Sequence, residues 1–318
     1  MQKVKIKFVD FWFGFSPEYN YFFKLLSQTY QLELSDLPDI LIYSCYGAEH
    51  LKYNCTKVFY AAENVRPDFT GCDYALSFDY DEDPRHFRLP LYALYIDQIG
   101  AGEKLISNRS RNEALDIWRS KTKFCCMVVS NGLSKKRLQF FEKLSKYKRV
   151  DSGGKVMNNV GGPVKDKMNF IRDYRFVISF ENASYPGYTT EKIIEPLLAD
   201  SIPLYWGDPL VGKDFNTKCF FNLDNSKSDE DFIKEIIAAD KDEEKAIRML
   251  MEPKFINGKI PVNIDKEKLN QFFKSLILNS LEKIPVSRTN KKYMHFYKVK
   301  KSYYTERVKG FINRLTKH

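Results

Sequence analysis

No two of the six cysteines are spaced Cys-x-x-Cys, which removes the zinc-ribbon and thioredoxin-type readings. Cys125 and Cys126 sit in the apolar run KFCCMVV, and the set reads as buried thiols rather than a disulfide framework, as expected in a reducing cytosol. No stretch approaches the ~20 apolar residues of a membrane-spanning helix. The opening MQKVKIKFVDFWFGF alternates Lys with apolar residues instead of showing a signal-peptide layout. The glycine-rich turns Asp151-Ser152-Gly153-Gly154-Lys155 and Gly161-Gly162-Pro163 lack the spacing of a P-loop or a dinucleotide fingerprint, so neither an ATPase nor an NAD enzyme is indicated. Heptad repeats are absent too, which argues against coiled-coil dimerisation.

What is present is ample apolar material, 43% hydrophobic and 15% aromatic over 318 residues, enough for two domains of roughly 150 residues. The net charge is +10, but it is not spread evenly. From Arg288 to His318 there are ten Lys and Arg against the single acid Glu306, leaving +9 of the +10 in this tail. A near-neutral body argues against nucleic-acid binding. In the tail, Tyr304, Val308, Phe311 and Leu315 fall on one helical face and basic residues cover the rest. That pattern predicts a basic amphipathic helix attaching the protein to an anionic membrane surface, peripheral to the inner face of the cell membrane and otherwise cytoplasmic.

Along the chain, apolar runs of strand length alternate with helical patterns. Val4 to Val9, Asp39 to Ser44, Lys57 to Ala61 and Asp73 to Phe78 read as strands, with a helix within Pro17 to Tyr30. Pro90 to Tyr95 reads as the end of this domain. A bridge containing the helical pattern Glu113 to Trp118 then leads to a strand at Lys123 to Ser130 and a helix that Ser134 can cap. Phe176 to Phe180, a polar loop closed by Pro186 and Gly187, a helix from Thr190, and Ile202 to Trp206 make a βαβ unit. Cys219 to Leu223 is a last short strand, and helical patterns fill Asp229 to Met251 and Asp265 to Leu281. The expected class is α/β, with two Rossmann-like domains facing a cleft. Residues 1–121 form the first domain with an interdomain segment, 122–285 the second, and 286–318 the tail, with the last helix able to return to the first domain.

Open α/β sheets bind ligands beyond the carboxyl ends of their strands. Glu181, Asn182, Tyr188, Thr190, Glu191 and Lys192 lie there in the βαβ unit, where a helix amino terminus and a lysine favour an anion such as a phosphate. Taken singly, Thr190 is a cap and Glu191 a dipole-matching acid. Arg137, a cation in the first turn of a helix, is also consistent with an anionic ligand. Glu63 in Ala61-Ala62-Glu63-Asn64 follows a strand and is placed to act as a general base, although alone it reads as a loop residue. Asp79-Tyr80-Asp81 has the Asp-x-Asp pattern of metal-held sugar nucleotides, but before Pro84 it reads as an acidic surface loop.

The string ENASYPGYTTEKIIEPLLADSIPLYWGDP resembles the donor-binding signature of the α1,3/4-fucosyltransferases, over a long gap-free match. The likeness extends in kind across most of residues 1 to about 285. The resemblance implies an inverting α1,3-fucosyltransferase that moves L-fucose from GDP-fucose to the GlcNAc of a Gal-GlcNAc acceptor. Glu63 would be its base, with Ala62 where the family has Gly. Arg137, Asn182, Tyr188, Thr190, Glu191 and Lys192 would bind the donor, Arg137 and Lys192 offsetting the diphosphate charge. No cofactor or divalent metal is expected. Loops around Asp10 to Phe15 and Glu63 to Phe69 would set the linkage. Another nucleotide sugar, an α1,4 linkage, or a non-catalytic glycan- or membrane-binding protein are the alternatives; the intact Glu63, Arg137, Glu191 and Lys192 argue against the last.

Overall fold

A computed structural model describes residues 1–224, 226–261 and 265–301. The chain forms two compact units. The first is built by β1 (Lys3–Val9), α1 (Tyr21–Leu26), β2 (Gln31–Leu34), β3 (Ile40–Tyr43), β4 (Thr56–Tyr60), β5 (Tyr74–Ser77) and β6 (His86–Arg88). These strands make one parallel sheet in the order β2-β1-β3-β4-β5-β6. Every residue of β3 and β4 is buried, as expected of parallel strands covered on both faces.

The second unit runs from Pro90 to Ile264. It opens with α2 (Leu91–Gln98), α3 (Gly102–Ile106) and α4 (Arg111–Ser120), followed by β7 (Lys123–Met127), α5 (Lys135–Ser145), β8 (Val150–Ser152) and α6 (Lys167–Ile171). Then come β9 (Tyr174–Phe180), α7 (Glu191–Leu198), β10 (Ile202–Trp206), β11 (Phe221–Asn222), α8 (Asp229–Asp240) and α9 (Glu243–Met251). Its parallel sheet has the order β11-β10-β9-β7-β8. The two halves of the predicted βαβ unit pair in register from Phe176↔Ile202 to Phe180↔Trp206.

The chain then returns to the first unit as α10 (Lys266–Glu282). Leu269, Phe273, Leu276 and Ile277 recur at helical spacing and are buried. Phe273 meets Phe22, while Phe272 packs edge-on against Tyr74 and tilted against Phe87. Past α10, Val286 N–H donates to Asp73 (2.7 Å), Ser287 Oγ to the Cys55 carbonyl (3.0 Å) and Arg288 Nε to the Asn54 carbonyl (3.1 Å). Residues 291–301 are helical, and His295 sits against His50 (Nε2 to Nε2, 3.0 Å) and Asp68 (3.2 Å).

These units divide after Leu89 and again at Asp265, not at 121/122 and 285/286. The reason is the segment from Pro90 to Lys121, which opens a helix rather than ending the first domain and is tied into the second unit. Lys104 Nζ donates to the Leu198 carbonyl (2.7 Å), Arg111 and Arg119 pair with Glu244 and Glu243, and the buried Lys121 ammonium reaches the carbonyls of Arg172 and Ala199. The start of the predicted tail is docked on the first unit, whereas its apolar positions Tyr304, Val308, Phe311 and Leu315 lie outside the described residues. Among the described residues no helix is long and apolar enough to cross a membrane. All six cysteines are free thiols, five of them buried.

Since the α10 seam closes the first core, Phe273→Ala is expected to cost about 3–5 kcal/mol. A denaturant titration checks this; a midpoint unchanged from the parent would refute it.

Candidate active site

Glu181 follows β9 directly and its side chain is fully buried. Its carboxylate accepts from the N–H of Thr190 (2.8 Å) and from the Thr190 hydroxyl (2.8 Å), and Lys192 Nζ lies 3.3 Å away. Thr190 is the N-cap of α7, as the sequence pattern predicts. Lys192 Nζ also donates to Thr190 Oγ1 (3.0 Å) and to Glu191 (3.3 Å). Burial pushes the Glu181 carboxyl upward and Lys192 only partly offsets it. For Lys192 burial acts against the charge, but Glu181 and Glu191 outweigh it and hold the ammonium above its ordinary value. Glu191 is driven up by desolvation, yet Lys192 and Lys167 bring it below the usual carboxylate range.

The loop between β9 and α7 is shaped from beneath by Asp208. Its carboxylate accepts from Gly187 N–H (2.8 Å), Thr189 Oγ1 (3.0 Å) and Leu210 N–H (2.7 Å). Gly187 has φ +84°, a left-handed turn conformation that suits glycine. Gly207 is required for a different reason: a Cβ there would lie 2.4 Å from the Glu181 Cγ.

Arg137 is on the buried face of α5, only 1% exposed. Its Nε donates to the Phe180 carbonyl (2.9 Å), Nη1 to the Asn131 carbonyl (3.4 Å) and Nη2 to Asn182 Oδ1 (2.8 Å). Burial lowers its pKa, while the nearby Glu181, Glu191 and Tyr188 act in the opposite direction. Ser134 is the N-cap of α5 by position, but it makes no capping bond; its hydroxyl donates to the Glu181 carbonyl (3.3 Å). The predicted residues Arg137, Asn182, Tyr188, Thr190, Glu191 and Lys192 are therefore drawn together at the carboxyl edge of the second sheet. The N–H groups of Thr190 and Lys192 are engaged within the chain, so what this end of α7 offers an anion is chiefly the Lys192 charge.

Glu63 belongs to the first unit, at the carboxyl edge of its sheet just beyond β4. It is partly exposed, and Tyr46 OH donates to its Oε1 (3.2 Å). The neighbouring Asn64 accepts from Arg66, which also pairs with Asp79 (2.9 Å) and lies over the Phe78 ring. Asp79 is thus engaged by Arg66 and Ser77, and Asp83 by Arg85 (2.6 Å). Among the described residues no group of three or more His, Cys, Asp or Glu is arranged to hold a metal ion.

Two family models match: the alpha-(1,3)-fucosyltransferase FucT N-terminal domain over residues 6–95 and the glycosyltransferase family 10 (fucosyltransferase) C-terminal region over 118–251. The chain belongs to the α1,3-fucosyltransferase family. It is 32% identical over 292 residues to the alpha-(1,3)-fucosyltransferase FucT of Helicobacter pylori, covering 80% of this chain and 61% of that protein's length. A crystal structure of an alpha1,3-fucosyltransferase superposes with a TM-score of 0.77 at 27% identity, covering 91% of this chain and 93% of the other. Another, with GDP-fucose, gives 0.75 at 28% identity over 91% and 94%. The fold class, two Rossmann-like α/β domains of the GT-B type, rests on these matches and on the two parallel sheets.

The sequence places Glu181 at this sheet edge without assigning it a role, and it leaves out two residues that the geometry brings forward, Asp208 and Tyr46. Glu181 carried a signal, being an acid directly after a buried strand. Asp208 read only as part of a turn, and nothing local marks Tyr46.

Because the folded-state pKa of Glu181 stands above the ordinary 4.5, its ionisation opposes folding as the pH rises, and Lys192 limits that effect. Lys192→Met is expected to destabilise the protein by about 3 kcal/mol at neutral pH. The deficit should shrink as the pH falls toward 4.5, because Glu181, whose folded-state pKa lies above that value, takes up its proton there. Urea unfolding at two pH values checks it; an equal deficit at both would contradict this assignment.

Proposed function

We propose that this chain is an inverting α1,3-fucosyltransferase moving L-fucose from GDP-fucose to the GlcNAc of an N-acetyllactosamine-type acceptor, a step in building Lewis-type surface glycans or lipopolysaccharide. The observation that carries this reading is the convergence of Arg137, Asn182, Tyr188, Thr190, Glu191 and Lys192 at one sheet edge, on the stretch that carries the family signature. The similar structure solved with GDP-fucose supports the choice of donor.

In this reading the acceptor oxygen attacks the anomeric carbon of fucose as that carbon's bond to the β-phosphate oxygen breaks. Glu63 takes the hydroxyl proton, because a neutral sugar hydroxyl is a poor nucleophile. A single displacement inverts the anomeric centre, through an oxocarbenium-like transition state. Negative charge grows on the departing GDP. Lys192 stabilises it directly, and Arg137 does so through its field while fixing Asn182. Glu191, an acid held ionised by Lys192 and Lys167, faces the cationic sugar.

The test is GDP release and product formation from GDP-fucose with N-acetyllactosamine, beside the Galβ1,3GlcNAc isomer, in EDTA. Product on the first acceptor alone is expected; product only on the isomer would move the linkage to α1,4. Glu63→Gln should lower turnover by roughly 100-fold or more while the KM for GDP-fucose stays unchanged. A matching loss of GDP affinity would remove Glu63 from the role of base.

We also infer peripheral attachment to the cytoplasmic face of an anionic membrane. The supporting pattern is the basic tail together with exposed Tyr293, Met294, Phe296 and Tyr297 in its helical segment 291–301. Truncation after Lys301 leaves the docked segment in place and should abolish co-sedimentation with anionic liposomes; unchanged sedimentation would refute the inference.

A further inference from the structure

The loop after β1 places an unusual amount of aromatic surface beside Glu63. Phe13 is fully exposed, Trp12 is 37% exposed and, from the loop after β3, Tyr46 is 47% exposed. These loops leave the carboxyl edge of the first sheet, as does the turn carrying Glu63. A surface of this kind, rimmed by polar groups, marks a binding site more often than an accident of folding.

The arrangement is also held firmly. Trp12 packs edge-on against Phe11 (5.6 Å) and Phe15 (5.3 Å), and those two rings stack on each other at 3.9 Å. Beneath them, Phe15 meets Phe8 (5.8 Å) and Phe11 meets Tyr60 (6.5 Å), so the exposed indole stands on the buried core of the sheet. Asp10, at the base of the loop, caps the next loop by accepting from the N–H groups of Glu49 (2.9 Å) and His50 (3.0 Å). The Trp12 and Tyr46 rings are 6.4 Å apart and inclined at 82°, forming a right-angled corner. The Tyr46 hydroxyl, at the end of one wall, donates to Glu63.

We propose that Trp12 and Tyr46 form the sugar platform of the acceptor. A hexose has one face made largely of C–H bonds, which packs on an aromatic ring, while its rim of hydroxyls stays available for hydrogen bonds. With the galactose of a Gal-GlcNAc disaccharide against the indole, Tyr46 bounds the sugar on its second side and the adjoining residue's hydroxyl is delivered to Glu63. Tyr46 acts as a positioning residue for the base: its hydroxyl orients the carboxylate, and its ring limits how far the acceptor slides past it. This inference rests on the acceptor reading above and adds the residues that select the disaccharide.

The experiment uses the full-length chain, comparing the parent with Trp12→Ala, Trp12→Phe and Tyr46→Phe. Two readouts are taken: steady-state transfer from GDP-fucose to N-acetyllactosamine, and saturation-transfer NMR on the disaccharide with GDP present. Trp12→Ala is expected to raise the acceptor KM about tenfold or more and to erase saturation transfer to the galactose C–H protons, with GDP affinity unchanged. Trp12→Phe should recover most of both. Tyr46→Phe, which keeps the ring, should hold the acceptor KM but lower kcat and shift its pH profile. Trp12→Ala with normal acceptor KM and saturation transfer would overturn the platform. So would a loss of GDP affinity and melting temperature in parallel, since the indole would then be structural. If the parent shows Trp12-dependent saturation transfer but no product, the transferase reading fails and the platform stands. If the parent shows neither signal, the platform is wrong.

Discussion

The carboxyl edge of the second sheet depends on keeping one carboxyl, that of Glu181, out of reach of water. Removing a charge from solvent is strongly unfavourable unless hydrogen bonds and a counter-charge replace the lost hydration. Here they come from only a few residues further on, through Thr190 and Lys192. The acid therefore ties the end of β9 to the start of α7, and the intervening loop must fold back on itself. Asp208 and Gly207 serve the same end from β10, the first by bonding the loop and the second by leaving room for the acid's own stem. Lys192 is fixed in place by these partners, which is how a flexible side chain becomes a preorganised cation.

Arg137 illustrates a related economy. A guanidinium with five N–H donors gives three to the protein and is almost wholly buried, so it braces the fold by hydrogen bonds and acts toward an anion through its charge. A lysine at that position would keep the charge and lose the fork that joins the end of β9 to Asn182.

Much of this was legible in the residues alone. The apolar runs of β3, β4, β9 and β10 are nearly continuous, the mark of strands buried on both faces, and Thr190 is a strong helix-start signal. Three short edge elements, β2, β6 and β8, were not legible, because Gln31–Leu34, His86–Arg88 and Val150–Ser152 are too brief and too mixed to show a period, and the last read as part of a glycine-rich turn. Pro90 was misread for a physical reason: proline breaks a helix from within but is welcome at its start, and here it is the N-cap of α2. The site divides in the same way. Residues joined by local sequence, from Glu181 to Lys192, could be read as a group. Contacts that need the fold, such as Tyr46 with Glu63 or Arg137 with Asn182, leave no trace in spacing.

The return of α10 to the first unit has a further consequence, for the order in which the protein acquires its structure. The second unit is a continuous stretch of chain inserted between Leu89 and Asp265, so every residue it needs is available before α10 exists. On a ribosome, the sheet strands of the first unit emerge first but wait uncovered, with Phe22, Tyr74 and Phe87 lacking the ring surface of Phe272 and Phe273. Folding of the second unit therefore precedes completion of the first, reversing the amino-to-carboxyl order usual for tandem domains. The half of the protein made earliest is the half most exposed to misassembly, and a helix made after the whole second unit closes it.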